Sequence, residues 1–325
     1  MKTKTLLLGI SLFTLGSGLV FTACKKKEPT KVEDVVTTPD ESGQSGSDSR
    51  DTQSENDAAV NDINNVVVGT KLSGRGADAA GINGISATPC GLTIDSTNIL
   101  TGTILLNYNG TTCLNRTRTG SIKLSLQGFP NIKWKSTGAV IKIEYLNYKI
   151  ARASDQKSIL LNGIQYLTNM SGGTWINLVL GTPSLVTTVT GTNLNVTFED
   201  NKTAVYNINR KMTYTYPGTI LTCKAEGLGT NGTINNLENF GTTRNNEPFT
   251  SEVTTPIIWN TTCGGAVIQG AVNVKVAAKG FDLKFTYGVD PSGNPVTVTA
   301  NNCPYGWKLE WTLAGKTNSK VIGYN

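Results

Sequence analysis

The sequence predicts an all-β fold, an antiparallel β-sandwich architecture with two related lobes behind a disordered tether. Apolar and polar residues alternate along many segments, for example at positions 272–276 and 281–287. Strict alternation with a period of two is typical of half-buried antiparallel strands. Turn signals separate these segments, namely Asn109-Gly110, Asn162-Gly163, Ser171-Gly172-Gly173, Asn231-Gly232 and Pro291-Ser292-Gly293-Asn294. Short strands with regular turns are typical of a β-sandwich.

The chain begins with the parts of an export signal. Two lysines precede an uncharged apolar run at residues 6–21, which is short for a membrane span and predicts a signal peptide over residues 1–23. The run ends in a Phe-Thr-Ala-Cys motif that resembles the lipobox of bacterial lipoproteins. The resemblance implies cleavage before Cys24 and attachment of lipid to its thiol, although Phe21 replaces the usual leucine. The alternative is an ordinary secretory signal cut after Ala23, for which the bulky Phe21 is less suitable.

The segment after the signal predicts a lipidated cysteine and a disordered linker over residues 24–62. Ser, Asp, Glu, Gly and Gln dominate it, and it has no apolar periodicity. Such a segment cannot bury enough apolar surface to offset the entropy of ordering it. Five basic and ten acidic residues give residues 25–62 a net charge of −5, whereas 22 basic and 13 acidic residues give residues 63–325 a net charge of +9. We therefore expect a basic body on an acidic tether.

The body divides into a predicted first lobe at residues 63–185 and a second at residues 186–325. Its alternation changes parity once within a single segment: Ile141, Ile143 and Tyr145 share one face, but Leu146, Tyr148 and Ile150 follow with the opposite parity. A shift of one residue moves every following side chain to the other face of a strand. The parity change predicts a β-bulge near residues 145–146.

Five cysteines follow the anchor, and an exported protein meets an oxidising compartment. They are Cys90, Cys113, Cys223, Cys263 and Cys303. Two bridges among five cysteines can be drawn in fifteen ways. An internal repeat favours one of them, because a Cys-Gly pair opens a block at residue 90 and again at residue 263, and each block ends with a turn followed by a second cysteine. The repeat predicts the pairs 90–113 and 263–303 with a free thiol at position 223; a 223–263 pair and chance similarity remain the alternatives.

The same blocks carry a resemblance to a group of uncharacterised Bacteroidota lipoproteins. The shared features are the Cys-Gly opening, a later Asn-Gly or Tyr-Gly turn followed by Thr and Cys, and a similar cysteine block near the end. The resemblance implies a lipoprotein of the cell envelope, held at the outer membrane, and implies no activity. Many surface lipoproteins of that phylum carry an acidic pair after the lipidated cysteine. Lys25, Lys26 and Lys27 stand there in this chain, so periplasmic and surface orientations both remain open.

The composition excludes several kinds of active site. The chain has no histidine, which removes Ser-His-Asp and Cys-His catalysis and histidine-ligated zinc. The adjacent Glu199 and Asp200 would point to opposite faces of a strand, and the pattern predicts a hairpin turn there. The segment at residues 290–294 lacks the further acidic ligands of a calcium site and also predicts a turn. We therefore expect no catalytic residues, no metal and no cofactor.

The tryptophans are the remaining candidates for binding. Trp307 and Trp311 share a strand face with apolar residues and are predicted to lie in the core. Trp134, between two lysines, and Trp175 are predicted to be exposed and are candidate sugar-stacking residues. The sequence thus favours a non-enzymatic envelope lipoprotein with a structural or binding role. The alternative is a carbohydrate-binding lipoprotein of glycan uptake or adhesion, with a glycoside hydrolase third. Expected partners are the membrane, through the lipid, and a glycan or anionic surface polymer, but not nucleic acid, because Lys and Arg are scattered.

Overall fold

The structure, a computed structural model, describes residues 40–74, 89–113, 115–313 and 316–324. The signal peptide and Cys24 lie outside these residues. The helices are α1 (Asp40–Val68) and α2 (Trp175–Val179). The strands are β1 (Leu92–Asp95), β2 (Thr103–Cys113), β3 (Arg116–Leu126), β4 (Ala139–Arg152), β5 (Ser158–Asn169), β6 (Leu185–Phe198), β7 (Thr203–Thr215), β8 (Thr222–Gly227), β9 (Gly229–Asn231), β10 (Ile234–Thr242), β11 (Pro248–Asn260), β12 (Val267–Val276), β13 (Phe281–Val289), β14 (Gly306–Leu313) and β15 (Lys316–Gly323).

All fifteen strands belong to one antiparallel sheet. Its main path runs from β1 to β7 and then from β10 to β15, while β8 pairs with both β7 and β11, and β9 pairs with β10. The predicted all-β antiparallel class is confirmed. The predicted division into lobes at residues 185 and 186 is not found, because it falls at the start of β6, which pairs with β5 on one side and β7 on the other. Most of the strands, from β1 to β15, and α1 contribute to one shared apolar core.

The predicted bulge in β4 is confirmed. The pairing of β4 with β5 shifts register between Tyr145 and Tyr148, and Asn147 between them has a φ of 51°. Tyr145 and Tyr148 are 2% and 0% exposed. Leu146 is 45% exposed, so the prediction that it shares the buried face of Tyr148 is wrong, because it lies within the register shift itself. The bulge therefore returns the apolar residues of the second half of the strand to the core side.

Similar register shifts occur in neighbouring strands. Gly120 on β3 and Asn193 on β6 have φ values of 84° and 55° at register shifts with the next strand. Asparagine side chains of adjacent strands support the bulged backbone: Asn162 Oδ1 accepts a hydrogen bond from the Asn147 amide at 2.8 Å, and Asn207 Oδ1 accepts one from the Asn193 amide at 3.1 Å. Bulges increase the local twist and bend a sheet. Much of the Asn and Gly content of these strands is therefore needed to curve the sheet.

The contacts of α1 show how strongly the sheet curves. The Arg50 guanidinium lies 4.7 Å from the ring centroid of Trp307 on β14, and Asp51 forms an ion pair with Arg152 on β4 at 3.4 Å. Strands β4 and β14 are eight steps apart in the sheet, about 38 Å if the sheet were flat. Two consecutive residues of a helix cannot reach across that distance. The sheet therefore curves around α1.

Helix α1 corrects the prediction of a disordered linker over residues 24–62, since residues 40–62 are helical and the helix continues to Val68. The prediction considered only apolar burial. The inner face of the sheet also presents buried polar partners, among them Arg210 and Arg244, which are 2% and 9% exposed. Acidic side chains of α1 can thus be buried without being left unpaired. Residues 24–39 lie outside the described part of the chain, and no helix within the described part is long and apolar enough to span a membrane.

The structure contains both predicted disulfides. Cys90 precedes β1 and is bonded to Cys113 at the end of β2, with Cα atoms 6.1 Å apart. Cys263 follows β11 and is bonded to Cys303 ahead of β14, with Cα atoms 5.5 Å apart. Both distances lie in the usual range for bridged cysteines. Cys223 on β8 is free and buried, as the repeat predicts.

Candidate functional site

The two candidate sugar-stacking residues have different environments. Trp134 is only 2% exposed, so the prediction that it offers a face to a sugar is wrong. Its amide donates to the carbonyl oxygen of Leu72 at 2.8 Å. Leu72 follows α1, whose residues 40–62 were predicted to be linker. Trp307 and Trp311, predicted to lie in the core, are 6% and 4% exposed and do lie there.

Trp175 lies at a cavity of about 600 Å³, which we call the aromatic cavity. It begins the short helix α2, whose start is held by reciprocal hydrogen bonds between Thr174 and Asn177. The capping box fixes the direction in which the chain enters the helix. The Trp175 ring then meets Tyr214 of β7 edge to face, with ring centroids 4.4 Å apart. Local capping and one aromatic contact therefore position this partly buried indole.

Strand β8 brings the other aromatic residues of this cavity together. Cys223 on β8 is paired in register with Tyr214 of β7 on one side and with Trp259 of β11 on the other. Tyr216, just beyond β7, completes the set of rings that line the cavity. Because β8 belongs to both pairings, residues far apart in the chain share one wall. Sequence reasoning missed Trp259 and Tyr216 because only this long-range pairing places them beside Trp175.

Amide groups supply the polar part of the aromatic cavity. Asn61 and Asn65 of α1 and Asn260 at the end of β11 line it. The Asn260 Oδ1 atom is buried and has no hydrogen-bond partner among the described residues. A buried acceptor of this kind is stabilised when a donor reaches it. Rings with amides at their edges suit a ligand that has apolar faces and hydroxyl groups around its edge.

The thiol of Cys223 and the hydroxyl of Tyr214, which line the aromatic cavity, are unreactive at neutral pH. Cys223 is 4% exposed, and burial, with the nearby Asp57 carboxylate, raises the pKa of its thiol well above the ordinary value. Burial likewise raises the pKa of the Tyr214 hydroxyl. Both groups therefore stay protonated at neutral pH, and a protonated thiol is a poor nucleophile.

The mouth of the cavity is apolar. Val179 lines it and is 50% exposed, the following Leu180 is 78% exposed, and Ile220 between two lining residues is 39% exposed. Single exposed apolar residues are ordinary, but three beside one opening form a local apolar rim. The rim extends the surface on which an apolar ligand face can rest.

A second cavity, of about 1060 Å³, lies between α1 and the inner face of the sheet, and its lining is highly charged. The N-terminal half of α1 contributes Asp48, Asp51, Glu55 and Asp57. Facing them are Arg116, Arg152 and Arg210 of β3, β4 and β7, and Arg244 of the turn between β10 and β11. We call the last four residues the arginine row. Sequence reasoning did not single them out. The signal was present in the opposite charges of the two parts of the chain, but it was interpreted as attraction to an external polymer.

The acidic residues weighed as catalytic or metal-binding groups lie in turns, as predicted. Glu199 and Asp200 follow β6, and each has a carboxylate oxygen 3.3 Å from Nη1 of Arg244, so both are held by one guanidinium. Asp290 Oδ1 accepts hydrogen bonds from the amides of Ser292 and Asn294 at 2.8 and 2.9 Å within its own turn. The described residues contain no group of three or more side chains arranged to hold a metal ion.

The aromatic cavity and the arginine row are therefore the two features of the described chain with the geometry of a binding site. What they bind has to be inferred from their own residues. No model of a known protein family, no curated protein and no solved structure matches this chain.

Proposed function

We propose that the protein is a non-enzymatic binding protein of the cell envelope, anchored by lipid at Cys24, and that its aromatic cavity takes a sugar ring. The observation that carries the binding role is the convergence of Trp175, Tyr214, Tyr216 and Trp259 on one cavity. Aromatic faces pack against the apolar face of a sugar, while polar groups at the rim of the rings meet its hydroxyls. The orphan acceptor on Asn260 adds a place for one such hydroxyl.

The lining of the cavity favours a neutral ligand. It consists of aromatic, aliphatic, amide, hydroxyl, thiol and glycine groups, without a charged side chain. An anionic polymer would lose its hydration there without gaining a counter-charge, which is costly. The cavity thus supports the carbohydrate alternative in a neutral form. An anionic glycan would have to bind elsewhere.

The residues near the cavity also favour binding over hydrolysis. A glycoside hydrolase needs two carboxyl groups on either side of the bond it cleaves, about 5 to 10 Å apart. The aromatic cavity has no carboxylate in its lining, and Glu199 and Asp200 are bound to Arg244. We therefore propose recognition of a glycan without cleavage, in uptake or adhesion.

A glycan array probed with the chain lacking its signal peptide tests the ligand. We expect binding to neutral glycans, and we expect Trp175→Ala to weaken it by at least about tenfold, as loss of an aromatic anchor does at other interfaces. Tyr166→Ala is the matched control, since Tyr166 is 38% exposed on β5 and does not line the cavity. Equal binding by the Trp175→Ala variant and the parent protein would show that the cavity is not the sugar site.

Membrane fractionation tests the anchor. We expect Cys24→Ala to move the protein from the detergent-soluble membrane fraction to the soluble fraction, because the acceptor thiol is gone. Each buried methylene of an acyl chain contributes about 0.8 kcal/mol, so several chains hold a protein essentially permanently. Cys223→Ala is the control and should remain with the membrane, since that thiol is buried in the fold. A Cys24→Ala variant that stays in the membrane fraction would exclude lipid anchoring at this residue.

A further inference from the structure

Helix α1 is held by two kinds of contact in its two halves. From Ala59 onward it packs an apolar face against the sheet, on which Val60, Ile63, Val66 and Val67 are each 5% exposed or less. Residues 44–57 contain no apolar side chain at all. They are nevertheless in close contact with the sheet, since Asp48 and Glu55 are 5% and 7% exposed. The N-terminal half is therefore a polar segment inside the fold.

This polar segment has little helical tendency of its own. Four serines, Gly46 and Asn56 lie within residues 44–57. Serine, asparagine and glycine all favour a helix less than alanine does, and a short helix in water is marginal without packing. The helical form of residues 44–57 therefore depends on their contacts with the sheet.

Those contacts are mainly carboxylate–guanidinium pairs. Asp48 accepts hydrogen bonds from Nε and Nη2 of Arg244 at 2.6 and 2.7 Å. Asp57 is bound by Nη1 of Arg210, and Glu55 is bound by Nε of Arg116. Two-point contacts between arginine and carboxylate are among the strongest hydrogen-bonded pairs and are specific in geometry. With the ion pair between Asp51 and Arg152, four carboxylates of one helix thus meet the four arginines of the row, which come from different parts of the chain.

Two of these arginines also have partners outside α1. Arg244 lies over the ring of Phe198, 3.9 Å from its centroid, and is also bound by Glu199 and Asp200. Nε of Arg210 lies 3.4 Å from Oε2 of Glu238 on the neighbouring strand β10. These partners restrain the two guanidinium groups. A restrained binding group loses less conformational entropy when a carboxylate binds to it.

The segment does not fill the space available to it. The cavity of about 1060 Å³ runs beside it, and Oε2 of Glu55 is buried without a hydrogen-bond partner among the described residues. Burial raises the pKa of Asp48, although Arg244 opposes the shift. Residues 44–57 therefore match the arginine row in charge, but they do not fill the space between α1 and the sheet.

We infer that the arginine row is a recognition site for an acidic helical peptide, that residues 44–57 are its resident ligand, and that the same segment of a second copy can replace them. The charge of the segment and three of its paired carboxylates define the ligand class: a peptide with acidic residues at the spacing of positions 48, 55 and 57. The apolar half from Ala59 stays docked and keeps the segment near its site. Exchange of one element between identical chains is a low-cost route to a dimer.

A peptide-binding experiment on the full chain, with its disulfides intact, tests this inference. The probe is a fluorescently labelled peptide of residues 40–62, followed by polarisation. In the parent protein the resident segment competes at an effective concentration of about millimolar, so binding should be weak. The variant Asp48→Asn with Asp57→Asn weakens the resident segment, and we expect it to bind the unchanged peptide at least about tenfold more tightly than the parent does. A peptide carrying the same two changes is the control and should not bind.

A locked variant removes the exchange. A Cβ atom added at Gly46 would lie 2.9 Å from Cδ1 of Leu283 on β13, so Gly46→Cys with Leu283→Cys can tie the segment to the sheet. We expect this variant to lose the residual peptide binding of the parent, while Leu283→Cys alone keeps it. Equal peptide affinity in the parent and in the Asp48→Asn, Asp57→Asn variant would overturn the inference.

Hydrogen exchange in the unmodified protein keeps the inference testable if the variants fail to fold. Amides of residues 44–57 should exchange through local opening, at least about a hundredfold faster than those of residues 59–68. Equal protection of both halves of α1 would mean that the polar half never leaves the sheet by itself, which would also refute exchange. The sugar site is unaffected by that outcome, because a glycan array reports on a different cavity.

Discussion

Replacing Arg210 with alanine should lower the free energy of unfolding by about 3–5 kcal/mol, the usual cost of removing one partner of a buried charge pair. Arg210 and Glu238 are 2% and 4% exposed, and their side chains lie 3.4 Å apart. Without the guanidinium, the hydroxyl of Ser251, at 3.0 Å, is the one hydrogen-bond donor to the Glu238 side chain among the described residues. Urea denaturation followed by tryptophan fluorescence measures the loss.

The matched control removes both charges. In Arg210→Met with Glu238→Gln the amide can still accept the Ser251 hydrogen bond, and Asp57 is 24% exposed and can be solvated. Replacing both members of a buried ion pair is often neutral. The double variant should therefore recover most of the stability that the single variant loses. Equal destabilisation of both would show that shape rather than charge explains the role of Arg210.

The loss caused by Arg210→Ala should depend on pH in a definite direction. Burial raises the pKa of Glu238, and Arg210 lowers it again in part. Removing Arg210 raises the folded-state pKa further, so the folded chain binds that proton more strongly than the unfolded chain. The destabilisation is then complete above the folded-state pKa and fades as the pH falls towards the ordinary pKa of glutamate. We expect a smaller deficit at pH 5 than at pH 8.

The second large effect concerns the bulges. Gly120 has a φ of 84°, and a Cβ atom there would overlap the carbonyl oxygen of Asn147 on β4. Gly120→Ala should therefore cost about 3 kcal/mol or more, because the left-handed conformation costs about 1–2 kcal/mol and the overlap with backbone adds to it. Calorimetric unfolding measures the change.

Gly138 provides a control with the same backbone strain and no overlap. Its φ is 77°, and no atom lies within 4 Å of an added Cβ. Gly138→Ala should cost only about 1–2 kcal/mol, the conformational part alone. If the two variants lose the same stability, the close approach of β3 and β4 at this bulge is not what requires glycine.

The strands and the bulge in β4 could be predicted because both depend on local pattern. Alternation with a period of two shows which face of a strand is buried, and the parity change after Tyr145 shows where the backbone must shift. The disulfides followed from a repeat that is also visible in the sequence. Helix α1 could not be predicted in this way. Its polar half is ordered by Arg210 and Arg244, about 150 to 200 residues further along the chain, and a rule that counts apolar residues does not include them.

The candidate site was predicted only in part, because it too depends on contacts between residues that are far apart in the chain. Trp175 is partly exposed at a cavity, as its position suggested, but Trp134 is buried, and its amide is bonded to Leu72 in the segment after α1. Trp259 and Tyr216 became part of the site only through the pairing of β8 with two strands. Composition and spacing describe each tryptophan alone, whereas the cavity depends on which strands become neighbours.

If Cys24 carries the lipid that we propose, the place of α1 has a mechanical consequence. Between Cys24 and Asp40 there are 16 residue steps, which span at most about 55 Å when fully extended. A pull between the membrane and the protein enters the described fold at Asp40 and acts first on residues 44–57. These residues precede every described strand and both disulfides in the chain, so the force would reach their ion pairs first. Tension on the anchor would then pull residues 44–57 away from the arginine row.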